Sequence, residues 1–253
     1  MMHVEVSGRG PNLVLLHGWG TTAQVWTDLA TYLGLQFRVH CVDLPGYRSS
    51  SAIAPYTLDA IVDLLIATCV PCATVCGWSL GGHLAMRWAL RNPGQVERLV
   101  LIASTPRFVR GPDWQSGIEP AVFDAFSQAL AHDPQEALRR FSLLQAQGDV
   151  DARTVSRRLR ECVATNGESD IAALAAGLQL LKNTDLRAAL PGIAQPVLIL
   201  QGEHDTVVAP GAAAYMQRTI PQATLSMIAG AAHAPFITQP QEIARRIAEF
   251  CHG

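Results

Sequence analysis

The chain is 253 residues long, 49% hydrophobic, with 19 basic and 21 acidic residues and a formal net charge of −2. That length suits one large domain with a sizeable core, and the near-balanced charge excludes a general attraction for nucleic acid. No apolar run reaches the roughly 18 residues of a membrane-spanning helix, and the first residues lack a basic stretch ahead of an apolar one, so an unexported, cytoplasmic monomer is expected.

In chain order, residues 3–7 alternate like an edge strand, and Gly8-Arg9-Gly10-Pro11 turns the chain. Leu13-Val14-Leu15-Leu16 reads as a strand buried on both faces; it ends in His17-Gly18-Trp19-Gly20, ahead of a helix over 22–33. A strand over 37–43 follows, then a loop through Leu44-Pro45-Gly46-Tyr47 and a helix over 57–67 with Thr57 as its N-cap. Ala73 to Cys76 forms the next strand and runs into Gly77-Trp78-Ser79-Leu80-Gly81-Gly82, with a helix from about Leu80 to Asn92. Residues 96–103 make another strand. This alternation predicts a mainly parallel sheet covered by helices on both faces.

The rhythm changes after Ser104. Residues 108–190 show only helical spacing, near 119–131, 134–146, 151–164 and 169–182, and read as a lid inserted into a core formed by 1–107 and 191–253. Strands then resume over 197–201 and 223–228, with helices over 212–219 and 241–251.

Gly77-x-Ser79-x-Gly81 between a strand and a helix is the pattern of a nucleophile elbow, in which side chains flanking the serine would collide in the sharp turn. A serine hydroxyl needs an adjacent base, itself oriented by an acid, and on this architecture the order along the chain is Ser, Asp/Glu, His. Asp205 follows the strand 197–201, and His233 lies in the loop after 223–228. Glu203 is the alternative acid; His252 is penultimate, and His17 precedes the nucleophile in the His17-Gly18-Trp19-Gly20 loop, where a structural role fits it better than that of a base. The backbone N–H groups of Leu80 and Trp19 are the expected oxyanion donors. Nothing calls for a metal or organic cofactor: neither H-E-x-x-H nor a P-loop occurs. Cys69-Val70-Pro71-Cys72 leads into the elbow strand rather than a redox helix, so the six cysteines are expected to be reduced and structural.

With these motifs, Gly202-x-x-Asp205 and Ala231-Ala232-His233-Ala234-Pro235-Phe236, the chain resembles the α/β-hydrolases over its whole length. Within them it is most similar to the carboxylesterases of biotin synthesis, through the tryptophans of its two glycine motifs and the segment Arg140-Phe141-x-Leu143-Leu144-Gln145. The resemblance implies hydrolysis of the methyl ester of a pimeloyl chain held on acyl-carrier protein. It also implies substrate contacts at Trp19, Ser79, Leu80, Phe141, Ser142, Leu143, Leu144, Gln145 and His233. Arg48 stands where a turn glycine is usual, so its loop is expected to differ in shape.

The lid carries arginines at 139, 140, 153, 157, 158 and 160, with Arg153, Arg157 and Arg160 on one helical face. Arg140, Arg153, Arg157 and Arg158 are the candidates for docking an acidic carrier protein; Glu136, one turn before Arg140, works against this. A solvated charged face is the plain alternative. The rival functions are a general small-ester carboxylesterase, another reaction on the same scaffold such as haloperoxidase or C–C bond hydrolysis, and a non-catalytic receptor.

Overall fold

The computed structural model describes residues 1–164 and 171–253. Seven strands, β1 (Val4–Gly8), β2 (Asn12–Leu16), β3 (Arg38–Val42), β4 (Ala73–Trp78), β5 (Val96–Ile102), β6 (Val197–Gly202) and β7 (Ala223–Ile228), form one sheet in the order β1-β3-β2-β4-β5-β6-β7. β1 is antiparallel to β3; every other pair is parallel. The central strands β4 and β6 are buried at every residue. Their neighbouring side chains feed two separate cores, because successive residues of a strand point to opposite faces. Val14, Val75, Leu99 and Ile199 join one core, and Leu15, Cys76, Val100 and Leu200 the other.

α1 (Thr27–Leu33), the short α9 (Pro235–Thr238) and α10 (Pro240–His252) cover the second of these faces, while α2 (Leu58–Thr68), α3 (Leu80–Arg91) and α8 (Pro210–Thr219) cover the first. The Thr57 hydroxyl accepts from the Ala60 N–H and starts α2 as its sequence predicts. The helix expected over 22–33 divides: a 3₁₀ turn (Ala23–Trp26) precedes α1. The Ala23 N–H donates to the buried Asp43 carboxylate at 2.8 Å, so a tertiary partner rather than a Thr22 cap sets this turn. α8 and α10 start slightly earlier than expected, each with a proline at its first position.

Between β5 and β6 stand α4 (Pro120–His132), α5 (Pro134–Ala146), α6 (Ala152–Ala164) and α7 (Ile171–Asn183). Residues 169 and 170 of the last expected helix lie outside the described residues. Arg107 and Asp185 pair as an isolated bridge and as an ion pair at 3.2 Å where the two ends of this segment meet. Its apolar residues Phe123, Leu138, Leu174 and Leu178 share a core with Trp19 and Tyr47, so the segment is seated directly on the loop after β2.

Arg48 adopts φ +51°, the left-handed conformation a glycine would favour. Its guanidinium lies 2.6 Å from Glu5 and 3.7 Å from Asp43. The loop thus keeps a glycine-type backbone despite the arginine, because two carboxylates hold the side chain.

Candidate active site

β4 delivers Ser79 at the carboxyl edge of the sheet with φ +54° and ψ −115°, a strained conformation for a residue with a Cβ. Its flanking glycines are sterically required. A Cβ on Gly77 would lie 2.2 Å from the Gly81 carbonyl oxygen, and one on Gly81 would lie 2.2 Å from that of Leu16. Ser79 is 7% exposed, and α3 begins at the next residue, with its N-terminal dipole end behind the hydroxyl.

His233 follows β7 and is 1% exposed. Its Nδ1–H donates to Asp205 Oδ2 at 2.9 Å, which assigns the proton to Nδ1 and leaves Nε2 as an acceptor. Nε2 is buried and makes no hydrogen bond to Ser79 or to any other described group. Such catalytic contacts are often long without substrate and tighten when it binds. The Asp205 carboxylate is held by three further donors: the Val207 and Val208 N–H groups, each at 2.9 Å, and Gln201 Nε2 at 3.0 Å. Glu203, the alternative acid, is exposed and lies 3.3 Å from the Gly230 N–H instead.

Sequence reasoning gave neither Trp78 nor Gln201 a role in the site, although Trp78 stands in the Gly77-Trp78-Ser79-Leu80-Gly81-Gly82 motif. Trp78 Nε1 donates to the His233 carbonyl oxygen at 2.8 Å, and its ring sits 5.5 Å from the imidazole. The only available signals were an indole beside the nucleophile and a glutamine ending an otherwise apolar strand.

The backbone N–H groups of Trp19 and Leu80 have no protein acceptor among the described residues. The Trp19 indole donates to the Leu174 carbonyl oxygen at 2.8 Å and meets Phe126 and Phe141 edge-on, at 5.6 and 5.3 Å. His17 is fully engaged: its Nδ1–H donates to the Gly18 carbonyl oxygen at 2.9 Å and Nε2 accepts the Leu44 N–H at 3.0 Å. Burial lowers its pKa and favours this neutral form.

α5 splits the stretch 141–145 between two sides, as its 3.6-residue period requires. Phe141 turns toward Trp19, Ser142 is buried with its hydroxyl on the Leu138 carbonyl oxygen, and the Gln145 carbonyl oxygen accepts the His233 N–H at 3.3 Å. Leu143 and Leu144 are 45% and 38% exposed. The arginines also divide. Arg140 pairs with Glu136 at 2.7 Å and Arg157 with Glu161 at 3.2 Å, while Arg153 is exposed. Arg158 turns about 100° from Arg157 and binds Asp28 on α1, tying α6 to the sheet domain instead of joining the exposed row.

The α/beta hydrolase fold family model matches residues 11–240. The chain is 41% identical to the pimeloyl-[acyl-carrier protein] methyl ester esterase of Nitrosomonas europaea, over 95% of this chain and 96% of that one. It is 42% identical to the protein of that name from Stenotrophomonas maltophilia strain R551-3, over 100% and 97%. An esterase from Exiguobacterium antarcticum shares the fold with a TM-score of 0.90 at 21% identity, covering 100% of this chain and 96% of that one. The enol-lactonase of Burkholderia xenovorans LB400 does so with a TM-score of 0.86 at 23% identity, over 100% and 96%. The elbow, the sheet order and these likenesses agree: the chain belongs to the α/β-hydrolase fold family, alongside the pimeloyl-[acyl-carrier protein] methyl ester esterases.

Proposed function

We propose that this chain is a serine carboxylesterase that converts pimeloyl-[acyl-carrier protein] methyl ester to the free pimeloyl carrier and methanol. The observation that carries the chemistry is the buried His233–Asp205 pair, 2.9 Å apart, at the same sheet edge as Ser79. The substrate assignment draws on the relatives that bear that name at 41–42% identity over nearly the whole chain.

In this reading Ser79 Oγ attacks the ester carbonyl carbon while His233 Nε2 takes its proton. Trp19 and Leu80 N–H donate to the developing oxyanion, each contributing roughly 3–4 kcal/mol. His233 passes the proton to the departing methoxide, and methanol leaves an acyl-serine. Water then attacks, gives a proton to His233, and the free carboxylate and Ser79 hydroxyl are restored. Asp205 stabilises the transient imidazolium and fixes the tautomer.

The helical segment acts as a lid. Phe141 and Trp19 supply an apolar wall, and the exposed Leu143 and Leu144 extend apolar surface outward along α5. A carrier protein is too large to enter, so it docks outside, where Arg140, Arg153 and Arg157 present positive charge. The test is methanol release from carrier-bound pimeloyl methyl ester compared with hydrolysis of short p-nitrophenyl esters. A kcat/KM advantage for the carrier-bound ester is expected; equal or lower efficiency would reduce the assignment to a general esterase.

A further inference from the structure

Six residues after Phe141 and its neighbours on α5, the chain leaves the helix and lies against the loop that carries His233. The contacts are specific. The Gln145 carbonyl oxygen accepts the His233 N–H at 3.3 Å, and the Val150 N–H donates to the Gly230 carbonyl oxygen at 2.9 Å. Between them the Asp149 carboxylate, 8% exposed, accepts the Ala232 N–H at 3.0 Å and the Asp151 N–H at 3.0 Å. His204, next to Asp205, donates from Nδ1 to the Gly148 carbonyl oxygen at 2.9 Å. The approach is close enough to restrict residue type: a Cβ on Gly148 would lie 2.9 Å from His204 Cβ, and one on Gly230 would lie 2.7 Å from Val150 Cγ1.

We infer that Asp149 is a positioning residue for His233: by fixing the Ala232 N–H, it makes the placement of the base depend on the segment that ends α5. The physical reason is that a buried N–H needs an acceptor and Asp149 supplies a carboxylate, giving a charge-assisted bond one residue from the imidazole. On the other side the loop is confined by β6, where a Cβ on Gly202 would lie 2.0 Å from the Ala232 carbonyl oxygen. The loop therefore sits in a two-sided clasp, and a substrate that presses on α5 also sets His233, whose Nε2 is unpartnered before substrate arrives.

This inference rests on His233 being the base, so that reading is tested first and separately. His233→Ala should lower kcat on p-nitrophenyl hexanoate by orders of magnitude; a loss below about tenfold removes the base and this inference together. With the base established, Asp149→Ala should lower kcat about 10–100-fold, the scale of a small misplacement. KM should stay within about twofold, and Asp149→Asn, which keeps an acceptor oxygen, should recover most of the rate. In a His233→Ala background Asp149→Ala should cause no further loss. Full activity of folded Asp149→Ala, or the same fold-loss in both backgrounds, would overturn the assignment. Should Asp149→Ala not fold, amide exchange in Ser79→Ala protein decides. Saturating dimethyl pimelate should slow exchange in both 145–150 and 230–233. Protection confined to 145–150, or none, overturns the coupling.

Discussion

Ser79 carries backbone strain that its neighbours maintain, since Gly77 and Gly81 allow main-chain approaches that any Cβ would block. Ser79→Ala removes one oxygen, that of the proposed nucleophile, which the packing does not need. It should retain the unfolding midpoint of the parent while losing at least about a thousandfold in kcat; a loss below about tenfold would rule Ser79 out as nucleophile. One turn into α3, His83 presents a second residue-scale consequence. It is buried, and burial pushes its pKa down to about 4 from 6.5, outweighing a contact with the Ser79 backbone that raises it. The unfolded chain therefore binds a proton between those values that the folded chain refuses. The stability from keeping His83 neutral is complete above about pH 6.5 and is lost as pH falls toward 4; the gap corresponds to roughly 3 kcal/mol. His83→Leu should shrink the fall in urea-unfolding free energy between pH 7 and pH 5 by about 2 kcal/mol. An unchanged pH dependence would show that other groups govern acid lability.

At the scale of elements, the helical segment does two jobs, one facing inward and one facing solvent. Inward, Phe141 and Leu174 grip the Trp19 indole and so the loop after β2. Trp19→Phe keeps an apolar ring but loses the donor to Leu174, whose carbonyl oxygen keeps only its helical partner. It should cost about 0.5–1.5 kcal/mol in stability and reduce kcat more than it raises KM, because the ring anchors the loop proposed to supply an oxyanion donor. Steady-state kinetics with a short ester, beside a thermal melt, separates these effects. Outward, Arg140, Arg153 and Arg157 stand on α5 and α6, and two of them are already partnered by glutamates in the same helix. Such exposed pairs contribute about 0.2–1 kcal/mol each, so single replacements should be nearly silent. Reversing all three to Glu should raise KM for carrier-bound ester strongly and leave a short p-nitrophenyl ester unaffected. Equal slowing of both would assign the arginines to the segment's own structure.

Over the whole molecule, the parallel sheet gathers residues from distant parts of the chain onto one edge; Trp78 and His233 touch across 155 positions. Arg158 on α6 reaches Asp28 on α1 and holds the helical segment to the sheet domain. Because that contact joins two parts of one chain whereas Arg140, Arg153 and Arg157 would meet a separate carrier, ionic strength should act differently on the two substrates. Raising salt from about 50 to 500 mM shortens the Debye length to a few ångströms. It should weaken binding to the acidic carrier and slow its ester at subsaturating concentration, while turnover of a neutral short ester stays level. A salt response shared by both substrates would place the effect in the enzyme rather than in docking.

Local rules carried much of this in the sequence. Strand and helix order was legible because β4 and β6 are apolar runs between turn residues, and α2 opens at a Thr57 cap. Ser79, Asp205 and His233 could be singled out because each stands after a strand end in a required order, a one-dimensional rule that reflects the carboxyl edge of a parallel sheet. What that rule does not contain is which groups meet. Only the packed chain decides that Gln201 and two backbone N–H groups surround Asp205, that Trp78 braces the His233 loop, and that Asp149 joins this loop to α5. The same holds for Arg158, a docking candidate in the sequence whose partner in the packed chain is Asp28. Periodicity tells which face a side chain takes; the partner waiting on that face is set by the crossing of elements far apart in the chain, and no local pattern encodes it.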